Sequence, residues 1–206
     1  CGGNDKAAGP GPTVATIQVT PGADTLVSLG DTRQLTALPL DANGDPVTGV
    51  TLSWTSSTPS VLAVNANTGV VSAVANGQAT ISAKVGSITG TATLLVAQEV
   101  ATVTVSPATA NLSTVNGTQQ FSAAARDANN NPVAGVKFLW LSSDQSVATV
   151  DTTGKATSRG AGSATVTAAA KGIPGNAVLS VTQVATQLAF TVSPPNGVTA
   201  GDPFPT

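Results

Sequence analysis

The stretch "WTSSTPSVLAVNANTGVVSAVANGQATISA", Trp54 to Ala83, returns later in the chain as "WLSSDQSVATVDTTGKATSRGAGSATVTA", Trp140 to Ala168. The correspondence extends well beyond these segments. An offset of 86 aligns Val14, Ala15, Thr16 and Pro21 with Val100, Ala101, Thr102 and Pro107, then Asp41, Asn43, Pro46, Gly49 and Trp54 with Asp127, Asn129, Pro132, Gly135 and Trp140. Past "NANTG", which is "DTTG" in the second copy, the offset becomes 85 and pairs Gly69 with Gly154, Gly77 with Gly162, Thr80 with Thr165 and Gly90 with Gly175. A one-residue deletion falling in a turn is tolerated by a structural repeat. A period of about 85 residues is too long for a solenoid unit and suits a small self-contained domain.

Within each copy, apolar and polar residues alternate with period two. In "GQATISAKV" the residues Ala79, Ile81, Ala83 and Val85 share one face while Thr80, Ser82 and Lys84 take the other, and "SATVTAAA" repeats the scheme. "SVLAVN" and "SVATVD" read the same way. Such alternation marks strands with one packed and one wet face. Turn signals at "DANGDP", "NANTG", "VANG" and "KVGSITG" separate them, at the 8 to 12 residue spacing of a two-sheet antiparallel sandwich. The composition agrees: 41% hydrophobic, 9% charged and 3% aromatic, with 21 Gly and 13 Pro. β-Branched residues suit a pleated, half-buried surface, and Gly and Pro punctuate it. The expected fold class is all-β, as tandem immunoglobulin-like antiparallel β-sandwiches.

The run Trp54, Ser56, Ser57, Val61, Ala63, Val64, Gly69, Val71, Ala73, Gly77, Ala79, Ile81, Ala83 resembles the signature of the bacterial immunoglobulin-like domain of group 2. Trp140, Ser142, Ser143, Val147, Val150, Gly154, Gly162, Ala164, Val166 and Ala168 carry the resemblance in the second copy. It implies a module of the intimin and invasin type, used as spacer, adhesive stalk or display unit, and it implies no chemistry of its own.

The division that follows is residues 1–13 as an anchor and tether, 14–98 and 99–184 as immunoglobulin-like modules, and 185–206 as the first strands of a third. There Ser193 and Pro194 echo Ser106 and Pro107. The copies meet at "AQEVAT" with almost no linker, so neighbouring modules should have limited hinge freedom. Cys1 is the only cysteine and is followed by Gly2 and Gly3. A mature bacterial lipoprotein begins in this way, with lipid on the sulfur and amino terminus of its first Cys, and Cys1 is read as that attachment site. The alternative is a chain boundary that falls on a Cys by chance. The stretch "GGNDKAAGPGPT" has the small-residue and Pro composition of a tether.

The residue inventory excludes several classes of function. The chain contains no His, no Tyr and no second Cys, which removes His-assisted nucleophiles, His-containing metal sites and thiol chemistry within it. Glu99 is the sole Glu, and the Asp residues lie mainly in turns, without an apolar pocket to raise one carboxyl against another. The eight Lys and Arg residues are scattered and the net charge is −2, so no basic stripe is available to a phosphate backbone. No apolar run approaches the ~18 to 20 residues of a membrane-spanning helix.

The sharpest polar constellation is Asp41, Asn43 and Asp45 in "DANGD", with Asp127, Asn129 and Asn131 in "DANNN". Oxygen ligands at positions one, three and five open a calcium loop of the EF-hand kind. Such a loop needs Gly at six and an acid at twelve, and here those positions hold Pro46 or Pro132 and Leu52 or Phe138. An Asx turn between strands is the preferred reading, with no metal. Trp54 and Trp140 lie inside alternating strands and are expected in the core, with Leu35 and Phe121, in preference to an exposed sugar-stacking platform.

These readings converge on a non-catalytic, lipid-anchored protein of the bacterial cell envelope, on its periplasmic or extracellular side. It would serve as a spacer or scaffold in protein contact or adhesion. A subunit bracing a membrane complex on its periplasmic side and a carbohydrate-binding appendage of a longer enzyme are the alternatives. The expected partners are the membrane, through the lipid on Cys1, and other envelope or membrane proteins. No nucleic acid, small-molecule substrate or other cofactor is expected.

Overall fold

The structure, a computed structural model, describes residues 13–183; Cys1, the tether up to residue 12 and the segment 185–206 read as a third module lie outside the described residues. Nine strands form the first module: β1 (Thr16–Thr20), β2 (Ala23–Leu26), β3 (Thr32–Gln34), β4 (Thr36–Leu40), β5 (Ser53–Ser56), β6 (Leu62–Val64), β7 (Val70–Ala73), β8 (Gly77–Val85) and β9 (Ile88–Val96). Nine more form the second: β10 (Thr102–Ser106), β11 (Thr109–Leu112), β12 (Thr118–Gln120), β13 (Ser122–Arg126), β14 (Leu139–Ser142), β15 (Ala148–Val150), β16 (Lys155–Ser158), β17 (Gly162–Ala170) and β18 (Ile173–Val181). No helix among the described residues is long and apolar enough to cross a membrane.

Both modules have the same topology. One layer runs β2-β9-β8-β5 in the first and β11-β18-β17-β14 in the second. In each, the first two neighbours are parallel and the others antiparallel. The other layer comprises β1-β4 with β3-β7-β6, and β10-β13 with β12-β16-β15. β3 and β4 are separated only by Leu35, and β12 and β13 only by Phe121. At this break the amide of Leu35 donates to the Gly69 carbonyl (3.1 Å) and that of Phe121 to the Gly154 carbonyl (2.9 Å). The strand bends there, driving the intervening side chain into the core: Leu35 is 0% and Phe121 1% exposed.

The period-two pattern fixes which face packs. Ala79, Ile81 and Ala83 of β8 and Ala92, Leu94 and Val96 of β9 are buried, as are Ala164, Val166 and Ala168 of β17 with Ala177, Leu179 and Val181 of β18. On the opposite face Thr80 pairs with Thr93 and Ser82 with Thr91. "SVLAVN" and "SVATVD" depart from the expected alternation, since only three residues of each are strand and the adjacent Val147 and Ala148 are both buried. Two hydrophobic clusters result, one drawn from residues of the first module and one from the second.

The tryptophans differ. Trp54 is 4% exposed within the first cluster, whereas Trp140 is half-buried at the margin of the second and packs against it from the edge strand β14. Both rings are covered by a glycine. A Cβ at Gly69 would lie 2.7 Å from the Trp54 ring, one at Gly154 would lie 2.7 Å from the Trp140 ring, and these glycines have φ of +73° and +83°. Only glycine meets both demands without strain, which accounts for its presence in both copies.

Candidate functional site at the junction of the modules

The junction begins in the linker. β9 ends at Val96 and β10 starts at Thr102. The amides of Ala97 and Glu99 donate to the carbonyls of Leu26 and Val27 (both 2.9 Å), and that of Ala101 donates to Arg126 of the second module (2.8 Å). The linker is therefore zipped to one module up to Glu99 and to the other from Ala101, which leaves Val100 as the only residue between the two anchorages.

Beside it sits Asp127, 2% exposed. Its Oδ1 accepts the backbone amides of Asn129 (3.0 Å) and Asn131 (2.8 Å), closing the turn within the second module. Its Oδ2 accepts the Leu29 amide (2.9 Å) and the Gln98 side-chain amide (2.9 Å), reaching across to the first. Gln98 is itself held, its backbone amide donating to Asn76 Oδ1 (2.7 Å) and its Oε1 accepting from Asn76 Nδ2 (3.1 Å). Asn129 Nδ2 donates to the Leu29 carbonyl and to Asp31 Oδ1, and Asn131 Nδ2 to the Leu29 carbonyl (each 2.9 Å). The loop Ser28–Asp31 of the first module is thus clasped by "DANNN" of the second.

The electrostatics follow from these partners. Desolvation raises the Asp127 carboxyl, but hydrogen bonds from Gln98, Leu29 and Asn131 outweigh it and hold the group below its ordinary value. A buried anion saturated with N–H donors is stable without a counter-cation.

The equivalent turn of the first module shows what the junction adds. Asp41 Oδ1 accepts the amides of Asn43 (2.8 Å) and Asp45 (3.0 Å), as Asp127 Oδ1 does for its own turn. Asp41 is half-buried, and Asn43 and Asp45 are exposed. Both backbone donors bind Oδ1, which gives the loop Asx-turn geometry. Among the described residues no group of three or more acidic, His or Cys side chains converges. Cys1, the expected lipid site, lies outside the described residues.

A groove of about 870 Å³ runs along the other side of the linker, lined among others by Glu99, Val133, Lys137, Lys171 and Ile173. Charges of both signs face it, so it favours neither an anionic nor a cationic ligand. Sequence reading anticipated a short linker but not the residues that bond across it. The signal present was the replacement of Asp45 by Asn131: a side chain that can donate stands where the first copy has one that only accepts.

Residues 99–182 match the family described as "Bacterial Ig-like domain (group 2)". Over 189 residues the chain is 34% identical to Ice-binding protein 1 of Shewanella frigidimarina, covering 89% of this chain and 20% of that one. The chain therefore spans a fifth of the length of that relative. Among solved structures it is similar to an Escherichia coli adhesin, FdeC, with 20% identity, a TM-score of 0.43, and 81% of this chain and 63% of that one covered. It is also similar to domains 4 and 5 of the surface layer protein SbsC, with 20% identity, a TM-score of 0.39, and 82% and 98% covered.

Proposed function

We infer that this chain, whose second module belongs to the bacterial Ig-like domain family of group 2, is a non-catalytic structural arm of a cell-envelope protein. In this reading Cys1 carries the lipid, residues 2–13 are the tether, and the two sandwiches are a stiff spacer that works through contact with other envelope or membrane proteins. The observation that carries it is the junction. A flexible string of modules has no use for a buried carboxylate clasped by both neighbours, whereas an arm that must hold distance and orientation does. Whether the arm is an adhesive stalk or braces a membrane complex depends on its partner.

The name of the Shewanella relative favours a second reading for the whole protein, in which the arm positions an ice-binding part. The purified chain by itself should then leave ice recrystallisation unchanged; inhibition by the chain alone would place ice binding in these modules instead.

Two measurements test the arm. Spin labels on exposed Thr93 and Ser163, in a Cys1→Ser background, should give a single narrow distance distribution. A broad one refutes stiffness. Fractionation of native membranes in mild detergent should recover the chain with a lipid mass on its N-terminal peptide, and an unmodified chain in the soluble fraction refutes the anchor.

A further inference from the structure

The two modules differ at the outer edge of one sheet. β5 and β14 are equivalent edge strands. Ser57 donates to Thr80 and Ser143 to Thr165 (both 2.9 Å), so odd-numbered residues of each strand bond inward to the sheet. The even-numbered Trp54, Trp140 and Ser142 therefore turn their backbone groups outward. In the first module this edge is closed, since the Trp54 amide donates to the Ala66 carbonyl in the "NANTG" turn (2.9 Å). The second module has one residue fewer in that turn, and no described residue accepts from the Trp140 amide.

The side chains change at the same place. Ser53 and Thr55 of β5 become Leu139 and Leu141 of β14, which are 62% and 52% exposed. From Phe138 to Ser143 the strand and its flanks carry no charge, whereas exposed edges are ordinarily blunted by charge, proline or a covering segment. The deletion that opens the backbone edge and the leucines that make it apolar occur together, in one copy only.

We propose that β14 is a strand-docking site through which two copies of this chain pair antiparallel about a two-fold axis. The charges favour a second copy over an unrelated strand. Lys137 stands before β14 and Asp144 after it, so antiparallel self-pairing sets the positive flank of each copy beside the negative flank of the other. Placing Leu141 opposite its own counterpart gives Trp140 and the second copy's Ser142 two N–H···O bonds, and the symmetric pair two more. Leu141 then falls at a non-hydrogen-bonded position, where facing Cα atoms approach to about 4.5 Å. The contact is small, so pairing is weak in dilute solution and gains from the high local concentration of a membrane-tethered population. It rests on the fold alone and not on the lipid anchor.

Sedimentation of the full chain under reducing conditions, up to about 0.5 mM, should show concentration-dependent dimers. Leu141→Lys should weaken dimerisation at least ~10-fold, and Val178→Lys, at another exposed apolar position of the same module, should not. In a Cys1→Ser background, Leu141→Cys should oxidise to a disulfide-linked dimer faster than Leu139→Cys, because only position 141 faces itself. A chain that remains monomeric throughout, equal dimerisation by Leu141→Lys, or faster cross-linking at 139 overturns the proposal. A dimer insensitive to Leu141→Lys would mean that copies, or another strand, meet elsewhere.

Discussion

Replacing Asp127 with alanine removes four short hydrogen bonds, besides two longer ones from Asn131 Nδ2 (3.3 and 3.4 Å), and the repeat supplies the control needed to apportion the four. Two close a turn, from Asn129 and Asn131, and two cross the junction, from Leu29 and Gln98. Asp41→Ala removes only the turn-closing kind, from Asn43 and Asp45. Hydrogen bonds to a charged acceptor contribute about 1.5 to 3 kcal/mol each. The Leu29 amide and Gln98 side chain can reach water once the modules part, so the lower end applies and the crossing pair contributes about 3 kcal/mol. Each module has one tryptophan, so Trp54→Phe and Trp140→Phe backgrounds let urea unfolding be followed module by module. The first module to unfold breaks the junction, and the earlier of the two transitions therefore carries the crossing share. Asp127→Ala should lower that earlier midpoint by about 2 M urea or more, for an m-value near 1 to 1.5 kcal/mol/M. If the first module unfolds first, its Trp54 signal shifts although the substitution lies in the second. Asp41→Ala should move only the Trp54 transition, by the smaller turn share. If the two substitutions cost the same to within about 0.5 kcal/mol, the crossing bonds do not hold the modules together.

Gly154→Ala should cost about 3 kcal/mol or prevent folding of the second module, because the added Cβ meets the Trp140 ring and the Phe121 carbonyl at positive φ. Gly44→Ala, also at positive φ but with nothing within 4 Å, should cost only about 1 kcal/mol; equal losses in urea titrations would remove the packing argument. Acid should destabilise the chain. Asp144 and Asp151 are held below their ordinary values, first by hydrogen bonds from the Ser146 and Thr153 side chains respectively, and Asp127 is lowered too, its donors outweighing desolvation. Carboxyls with depressed folded pKa values contribute fully above their unfolded value near 4 and lose that contribution as pH falls through the folded value. Stability should thus be flat on this account from about pH 7 to 5 and fall below about pH 4, less steeply in Asp127→Asn; stability rising on acidification would contradict the assignment. Calcium at about 5 mM, above the ~1 mM range of weak extracellular sites, should leave the melting temperature unchanged. A rise that Asp41→Ala abolishes would make the "DANGD" turn a metal site.

The fold was legible because its demands repeat. Ala79, Ile81 and Ala83 alternate with polar residues as Ala164, Val166 and Ala168 do, and both triplets are buried. Gly69 and Gly154 recur because each lies against a tryptophan ring at positive φ. Trp140 shows the limit of that inference. It occupies the same sequence position as the buried Trp54, yet only part of it is covered, and the turn beside it is one residue shorter. The junction was less legible still. Asp127 and Asp41 share the Asp-Ala-Asn start of their turns and accept the same two backbone amides, and what most separates them is a loop 98 residues before Asp127 in the chain, at Leu29. The change of Asp45 to Asn131 shows that a donor was added, but local pattern does not say which distant group receives it.

Between two copies of one module, positions required by the fold are held in common, and a paired departure points to something one copy does alone. Asp45 to Asn131 is such a departure, and it supplies a donor to the Leu29 carbonyl. The loss of a residue from "NANTG", together with Ser53 and Thr55 becoming Leu139 and Leu141, is another. The second consists of changes that would be unfavourable singly: an open edge without a partner leaves backbone groups unpaired, and exposed leucines without a partner add apolar surface. Their coincidence on one strand is why the edge of β14, rather than the polar turns, is the surface that sets the second module apart from the first. The clasped junction then determines where that surface stands relative to the first module.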